Sequence, residues 1–136
     1  MKVINVMTTD PVSVEPSDTI LQAQEIMRER DIRQLPVIKG KELIGIITDR
    51  DIRSFLGSNS FNALEDQERA GITKVAAVMT NKPIFLSPDD DLRDAVELLI
   101  EEKVGGIPVV DEEEGLVGIV TYLDLLQCFL EHLEET

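Results

Sequence analysis

An internal duplication constrains the fold of this chain more than any other feature of its sequence. A shift of 72 residues aligns Val-Met-Thr at residues 6–8 with Val-Met-Thr at residues 78–80. After one extra residue in an acidic turn, a shift of 73 aligns Gly45 with Gly118. Each copy has roughly 60 residues, which puts an isolated core at the margin of stability. The sequence therefore predicts two repeats that fold together.

The residue pattern within each copy predicts three short strands and two helices in the order β-α-β-β-α. Apolar residues at helical spacing follow a proline turn in both copies and predict the first helix, near residues 20–27 and 92–99. Short runs of branched apolar residues predict the strands; they lie at residues 12–14, 35–38 and 43–47, with counterparts at 84–86, 107–110 and 116–120.

The fold class that follows is α+β, with two pseudo-symmetric repeats packed face to face through their small sheets. We expect repeat 1 to cover residues 1–57 and repeat 2 to cover residues 75–136. A linker, partly helical, is expected at residues 58–74, where a Ser-Asn-Ser break precedes a polar stretch from residue 61 to residue 70.

The motif Thr-x-x-Asp ends the last strand of each copy, as Thr48 with Asp51 and as Thr121 with Asp124. A Thr followed by an acidic residue three positions later is a capping box, in which both side chains bond free N–H groups at a helix start. The same arrangement suits a ligand, because a helix N-terminus attracts phosphate and a carboxylate accepts hydrogen bonds from sugar hydroxyls. A single copy favours the cap alone, whereas two copies at matched positions favour a binding role as well.

Charge limits the possible partners. The formal net charge of −14 argues against nucleic acid and anionic membranes, which need clustered Lys and Arg. Residues 1–57 hold eight Lys or Arg against nine Asp or Glu, whereas residues 75–136 hold three against fifteen. An anion-binding site is therefore expected in the first copy.

The location expected from the sequence is the cytoplasm. The apolar runs are too short to span a bilayer, and the first residues lack the pattern of a signal peptide. The single cysteine, Cys128, permits no internal disulfide and is consistent with a reducing compartment.

Taken together, Val-Met-Thr, Leu-Pro-Val and Gly-Ile-x-Thr-x-x-Asp in β-α-β-β-α units resemble a tandem pair of CBS domains, often called a Bateman module. The resemblance covers essentially the whole chain. It implies a regulatory fold that binds AMP, ADP, ATP or S-adenosylmethionine in clefts between the copies, as a signal and not as a substrate. It implies no obligatory cofactor and no metal. It also suggests a homodimer formed through helices, for which Phe55, Leu56, Phe129, Leu130 and Leu133 are candidate contacts.

The resemblance also implies roles for individual residues. Asp51 and Asp124 would bind ribose hydroxyls, and Thr48 and Thr121 would contact phosphate or the ribose edge. Main-chain groups near Leu35 and Ile107 would hold the adenine. A small hydroxyl residue is often found where Ser13 lies, and a basic residue that reaches phosphate is often found where Arg33 lies.

The second copy departs from this pattern. Gly105 replaces Arg33, Leu123 replaces Arg50, and Phe85 replaces Ser13. Guanidinium groups suit bidentate phosphate contacts, so Arg33 and Arg50 favour an anionic ligand in the first copy. Phe85 would either stack on adenine or fill the second cleft. We therefore expect the second site to be weak, empty or selective for a less charged ligand.

An enzyme is the function class that the sequence supports least. The only histidine, His132, lies near the end of the chain, and the sequence contains no phosphate loop or dinucleotide fingerprint. Acidic runs at residues 89–91 and 112–114 are typical of a helix start and a solvated turn. Two functions remain open: a sensor that signals to a partner protein in trans, and a ligand-free structural or protein-interaction module.

Overall fold

The computed structural model describes residues 1–57 and 63–135 and consists of short strands alternating with helices. In chain order these are β1 (Thr8–Thr9), α1 (Ile20–Arg30), β2 (Gln34–Lys39), β3 (Glu42–Thr48), α2 (Asp49–Leu56), α3 (Ala63–Ile72), β4 (Thr80–Asn81), α4 (Leu92–Glu102), β5 (Gly106–Asp111), β6 (Gly115–Thr121) and α5 (Tyr122–Glu134). Single turns of 3-10 helix span Val3–Asn5 and Val75–Ala77. The predicted α+β class is confirmed.

The strands form two antiparallel sheets of three strands. One sheet has the order β2-β3-β4, and the other has the order β1-β6-β5. β2 and β3 form a hairpin that turns at Gly40, where φ is +66° and a side chain would be strained. β5 and β6 form the equivalent hairpin in the other sheet. The second and third strands predicted from the apolar runs are therefore present in both repeats, and in each repeat they form a hairpin.

The chain folds into two compact units. The first-repeat unit is Val12–Pro83, and the second-repeat unit is Met1–Pro11 together with Ile84–Thr136. The segment at the start of each sequence repeat, residues 1–11 or 75–83, thus packs with the other repeat. We call each of these an exchanged segment. For example, the N–H of Val3 donates to the carbonyl oxygen of Asp90 at 2.9 Å, and the N–H of Val75 donates to that of Asp18 at 2.7 Å.

Two expected elements differ from the structure. The first strands predicted at residues 12–14 and 84–86 are reduced to single parallel bridges, Val14 to Val37 and Leu86 to Val109. The third strand of each sheet is the two-residue segment β4 or β1, which follows the methionine of Val-Met-Thr. Pro11 and Pro83 stand immediately before these segments, and each lacks the N–H that would extend a ladder further towards the amino terminus. The predicted linker helix is present as α3, while residues 58–62 lie outside the described residues.

Each unit has its own hydrophobic core. In the first-repeat unit the buried side chains come from α1, β2, β3, α2 and α3; they include Ile20, Ala23, Leu35, Ile47, Ile52 and Ala70. In the second-repeat unit they come from α4, β5, β6 and the exchanged segment; they include Val3, Ala95, Leu99, Ile107, Val109 and Val120. The matched positions Ala23 and Ala95 are both fully buried.

A methionine of the exchanged segment packs on a glycine in each sheet. A Cβ atom added to Gly45 would lie 2.7 Å from Sδ of Met79 and 2.9 Å from the carbonyl oxygen of Thr80. At Gly118 the corresponding distances are 2.6 Å to Sδ of Met7 and 2.9 Å to the carbonyl oxygen of Thr8. The repeated glycine is therefore required by close approach of the exchanged segment.

Among residues 1–57 and 63–135, no helix is both long and apolar enough to cross a membrane.

Candidate ligand-binding site

The start of α2 is organised by Thr48 and Asp51. Thr48 is extended, with φ −116° and ψ 160°, and ends β3 as the N-cap of α2. Its hydroxyl oxygen accepts from the N–H of Asp51 at 3.0 Å, and its own N–H donates to Oδ2 of Asp51 at 3.1 Å. The capping box predicted from the sequence is confirmed. It holds the Asp51 carboxylate at a helix N-terminus.

The start of α5 repeats this geometry. The hydroxyl oxygen of Thr121 accepts from the N–H of Asp124 at 3.3 Å, and the N–H of Thr121 donates to Oδ2 of Asp124 at 2.9 Å. The second capping box is therefore confirmed as well, and both motifs stabilise the helices that they begin.

The two carboxylates differ at their second oxygen. The hydroxyl of Thr8, in the exchanged segment of the second-repeat unit, donates to Oδ1 of Asp124 at 2.9 Å. The equivalent residue in the first-repeat unit is Thr80, which makes no hydrogen bond to Asp51. Within the described parts of the chain nothing donates to Oδ1 of Asp51, which is half-buried. One acceptor oxygen at the start of α2 is thus available to a ligand hydroxyl.

The remaining site candidates of the first repeat, Leu35 and Ser13, lie on strand β2 or next to a residue that pairs with it. Leu35 is fully buried and pairs with Ile47, next to the pairing of Gln34 with Thr48. Ser13 is half-buried and precedes Val14, whose N–H donates to the carbonyl oxygen of Pro36 at 3.0 Å. Leu35, predicted to lie beside adenine, and Ser13, the predicted hydroxyl residue, are therefore held in place by backbone pairing at or next to their positions.

In the second-repeat unit, Ile107 is fully buried and pairs with Val120, next to the pairing of Gly106 with Thr121. Phe85, at the position equivalent to Ser13, exposes 58% of its surface and is not among the buried residues of this unit's core.

Arg33 lies beside the start of α2. Its carbonyl oxygen accepts from the N–H of Asp49 at 2.9 Å, and its side chain lines a concavity with Met27, Ile32 and Asp49. Its guanidinium pairs with no carboxylate of the described residues. The counterpart Gly105 keeps only the main-chain contact, because its carbonyl oxygen accepts from the N–H of Tyr122 at 3.2 Å.

Arg50 lines a concavity of about 1170 Å³ with Arg28 and Arg53. Arg33 lines a second concavity with Asp49, and Arg28 borders both. Successive helical residues are rotated by about 100°, so the side chains of Arg50 and Asp51 leave α2 in different directions. Arg53 is bound within its own helix, because its Nε lies 3.0 Å from Oδ2 of Asp49.

Thr8 and Thr80 are not among the site residues predicted from the sequence. Their signal in the sequence is the repeated Val-Met-Thr segment. Its third residue follows the methionine that packs on Gly118 or Gly45, so the segment lies next to the start of α5 or α2.

Comparison with known proteins places both repeats in one family. The model of the CBS domain family matches residues 3–58 and 75–131. The chain is 34% identical to protein MJ1225 of Methanocaldococcus jannaschii, covering 91% of this chain and 47% of that protein. It is also 34% identical to inosine-5'-monophosphate dehydrogenase of the same organism, covering 93% of this chain and 23% of the enzyme. The chain thus spans half or less of these relatives.

Two solved structures of similar chains contain adenosine compounds. CBSX2 in complex with AMP is 30% identical, with a TM-score of 0.80 over 96% of this chain and 97% of that chain. The CBS domain pair of protein MJ0100, in complex with 5'-methylthioadenosine and S-adenosyl-L-methionine, is 26% identical. Its TM-score is 0.78 over 97% of this chain and 98% of that chain.

Proposed function

This chain belongs to the CBS domain family as a tandem CBS pair, and we propose that it is a sensor module for an adenosine-containing ligand. The proposed anchor is the start of α2, where Thr48 and Asp51 are held by their capping box. The ligand is bound as a signal and leaves unchanged. We propose that the module transmits its state to a partner protein in trans.

The observation that carries this proposal is the acceptor left over at Asp51. A capping box uses one carboxylate oxygen, and Oδ2 of Asp51 accepts from the N–H of Thr48. Oδ1 receives no hydrogen bond from the described residues, although the side chain is half-buried. A half-buried charged acceptor gains from a donor, and a ribose supplies hydroxyl donors without a competing charge.

Three features support AMP, ADP or ATP over an uncharged adenosine ligand. Arg33 is held beside the start of α2 and has no carboxylate partner in the described chain. A helix N-terminus favours an anion. The bound AMP of CBSX2 shows that a similar chain accepts a nucleoside monophosphate. S-adenosylmethionine, which the similar MJ0100 pair binds, and NAD are the alternatives.

We propose that the second site is weaker. Oδ1 of Asp124 already accepts from Thr8 at 2.9 Å, so a ribose hydroxyl would have to displace the threonine. Gly105 provides no cation, and the surrounding half of the sequence is strongly acidic. Leu35 and Ser13 in the first repeat, with Ile107 in the second, remain proposed contacts for adenine and the ribose edge.

The remaining expectations form part of the same proposal. The module acts in the cytoplasm as a homodimer and has no catalytic activity of its own. The dehydrogenase relative does not argue against this, because only 23% of that enzyme is covered by the match.

A binding experiment with a matched pair of variants tests the proposal. AMP, ADP, ATP, NAD and S-adenosylmethionine are titrated calorimetrically into the wild type, Asp51→Asn and Asp124→Asn. Asparagine can still accept the capping bond, but it places a donor where the ribose needs an acceptor. We expect at least a tenfold loss of affinity for AMP in Asp51→Asn and less than a threefold loss in Asp124→Asn. Equal losses of AMP affinity in the two variants would refute the proposed difference between the first and second sites.

A ligand-free structural or protein-interaction module is the second candidate. It is favoured by the two capping boxes, which account for both Thr-x-x-Asp motifs without any ligand. Absence of binding for every compound in the panel at millimolar concentration would establish this alternative over the sensor.

A further inference from the structure

The larger concavity of the first-repeat unit is lined by cations. Its volume is about 1170 Å³, and residues of α1, α2 and α3 line it. Three guanidinium groups take part, from Arg28 on α1 and from Arg50 and Arg53 on α2. The uncharged side chains with hydrogen-bond donors in the lining are Gln24, Ser54 and Gln67. A chain with a formal net charge of −14 thus gathers positive charge at this place.

Helical spacing brings these donors to the same side of their helices. Arg50 and Arg53 are three positions apart on α2, so they are neighbours on its surface. Gln24 and Arg28 are four positions apart on α1 and have the same relation. Like charges at such a spacing repel each other and destabilise the helix. An anion bound between the helices would remove this repulsion.

The protein itself neutralises these arginines only in part. Nε of Arg53 lies 3.0 Å from Oδ2 of Asp49. Within residues 1–57 and 63–135, no carboxylate forms an ion pair with Arg28 or Arg50. Asp66 lines the concavity, but in the same part of the chain it forms no ion pair with the three arginines. Arg28 and Arg50 therefore keep their donors available to a ligand.

The fold of a repeat does not require cations at these positions. The equivalent residues of the second-repeat unit are Ile100, Leu123 and Leu126. Helices α4 and α5 form in that unit with apolar residues at all three places. The three arginines of the first repeat therefore point to a role other than helix formation.

The lining favours a small anion that carries several charges. Guanidinium groups form bidentate hydrogen bonds with phosphate oxygens. All three arginine side chains are exposed, and a single exposed ion pair contributes little, so the anion has to contact several of them at once. Among the described residues the lining contains no aromatic side chain, which leaves no anchor of the kind that a bound protein segment or a stacked base uses.

We propose that this concavity binds a linear oligophosphate through Arg28, Arg50 and Arg53. Arg28 also borders the second concavity, which Arg33 lines, so the phosphate chain is either a free oligophosphate or the tail of a nucleotide held at the start of α2. Recognition of the phosphate chain itself does not rest on the proposed adenosine site.

The test uses tripolyphosphate, which contains no adenosine. It is titrated calorimetrically into the protein in magnesium-free buffer at low ionic strength, where exposed charges are screened least. The test variant is Arg28→Gln with Arg50→Gln, and the control is Arg30→Gln with Lys39→Gln. All four side chains are exposed, and each variant removes two positive charges, so general attraction falls equally. Neither control residue lines the concavity, and circular dichroism checks that both variants fold.

We expect at least a tenfold loss of tripolyphosphate affinity in the test variant and less than a threefold loss in the control. Orthophosphate should bind the wild type at least tenfold more weakly than tripolyphosphate, because it cannot contact all three arginines. Absence of tripolyphosphate binding at millimolar concentration, equal losses in the two variants, or equal affinity for orthophosphate would each overturn the proposal. An octaglutamate peptide that binds more tightly than tripolyphosphate would also overturn it, in favour of an acidic protein segment.

ATP distinguishes the two sources of the phosphate chain. A test variant that loses tripolyphosphate and also loses a preference for ATP over AMP supports the tail of a nucleotide. A test variant that loses tripolyphosphate but keeps its affinity for ATP supports a free oligophosphate. If no adenosine compound binds, the adenosine sensor fails, whereas the tripolyphosphate titration still decides the present proposal.

Discussion

The hydroxyl of Thr8 donates a 2.9 Å hydrogen bond to Oδ1 of Asp124, although 116 positions separate the two residues. The bond joins the exchanged amino-terminal segment to the start of α5. Thr80 and Asp51 are the matched residues of the other unit and make no such bond. This contact thus distinguishes two helix starts that share the Thr-x-x-Asp motif.

This difference predicts unequal effects for two equivalent substitutions. Thr8→Val should lower the free energy of unfolding by about 1 kcal/mol, because it removes a hydrogen bond to a charged acceptor at an exposed site. Thr80→Val should change it by less than about 0.5 kcal/mol, as is usual for surface substitutions. Urea denaturation followed by circular dichroism measures both. A larger effect at Thr80 would contradict the assigned asymmetry.

The capping boxes should contribute measurably to stability in both units. Thr48→Ala removes the acceptor for the N–H of Asp51 and should cost about 1 kcal/mol, and Thr121→Ala should cost a similar amount. Thr48→Ser keeps the hydroxyl and serves as the control, with an expected change of a few tenths of a kcal/mol. Chemical denaturation of the ligand-free protein separates this structural role from any binding role.

Adding a methyl group to Gly45 should be destabilising. The new Cβ would lie 2.9 Å from the carbonyl oxygen of Thr80 and 2.7 Å from Sδ of Met79. The methionine can move but the backbone cannot, so Gly45→Ala should cost about 1–3 kcal/mol. Gly71→Ala is the control, because its Cβ would meet Cδ2 of Leu21 at 3.6 Å. It should be neutral or stabilise α3 by up to about 1 kcal/mol, measured by thermal denaturation.

The proposed phosphate contact predicts a difference between two ligands. Arg33→Ala should weaken AMP binding by roughly tenfold, since a hydrogen bond to a charged group contributes about 1.5–3 kcal/mol and this side chain is exposed. Adenosine, which lacks the phosphate, should bind the variant and the wild type equally. Arg30→Ala, also exposed and in the last turn of α1, is the control. Equal loss for AMP and adenosine would remove Arg33 from the phosphate contact.

Local patterns predicted the elements that depend on local physics. The spacing of apolar residues located α1 and α4, and Thr-x-x-Asp located the first residues of α2 and α5. Gly57, at φ 89°, follows the end of α2, where glycine is common. These features depend on neighbours within a few residues, so they can be predicted from short stretches of the sequence.

Long-range pairing was not predictable in the same way. β1 and β4 have two residues each, which is too short for a periodic pattern, and their partners are distant in the chain. The apolar run at residues 12–14 has the composition of a strand, but only Val14 pairs. For the site, Thr8 was missed because its bond to Asp124 follows from this exchange. The choice of Arg50 follows from its proximity to Asp51 in the sequence, and its contact with a phosphate stays a prediction.

Because the segments at the start of the two repeats are exchanged, the sequence repeat and the packing unit do not coincide. The unit that was duplicated and the unit that packs are offset by about ten residues, since the first ends near residue 72 while the second runs from Val12 to Pro83. Without the second copy, Met7 would lack Gly118, on which it packs, and the sheet of β2 and β3 would lack its edge strand β4. Without the first copy, Met79 would lack Gly45, and the sheet of β5 and β6 would lack its edge strand β1. Neither sequence repeat alone therefore contains a complete packing unit.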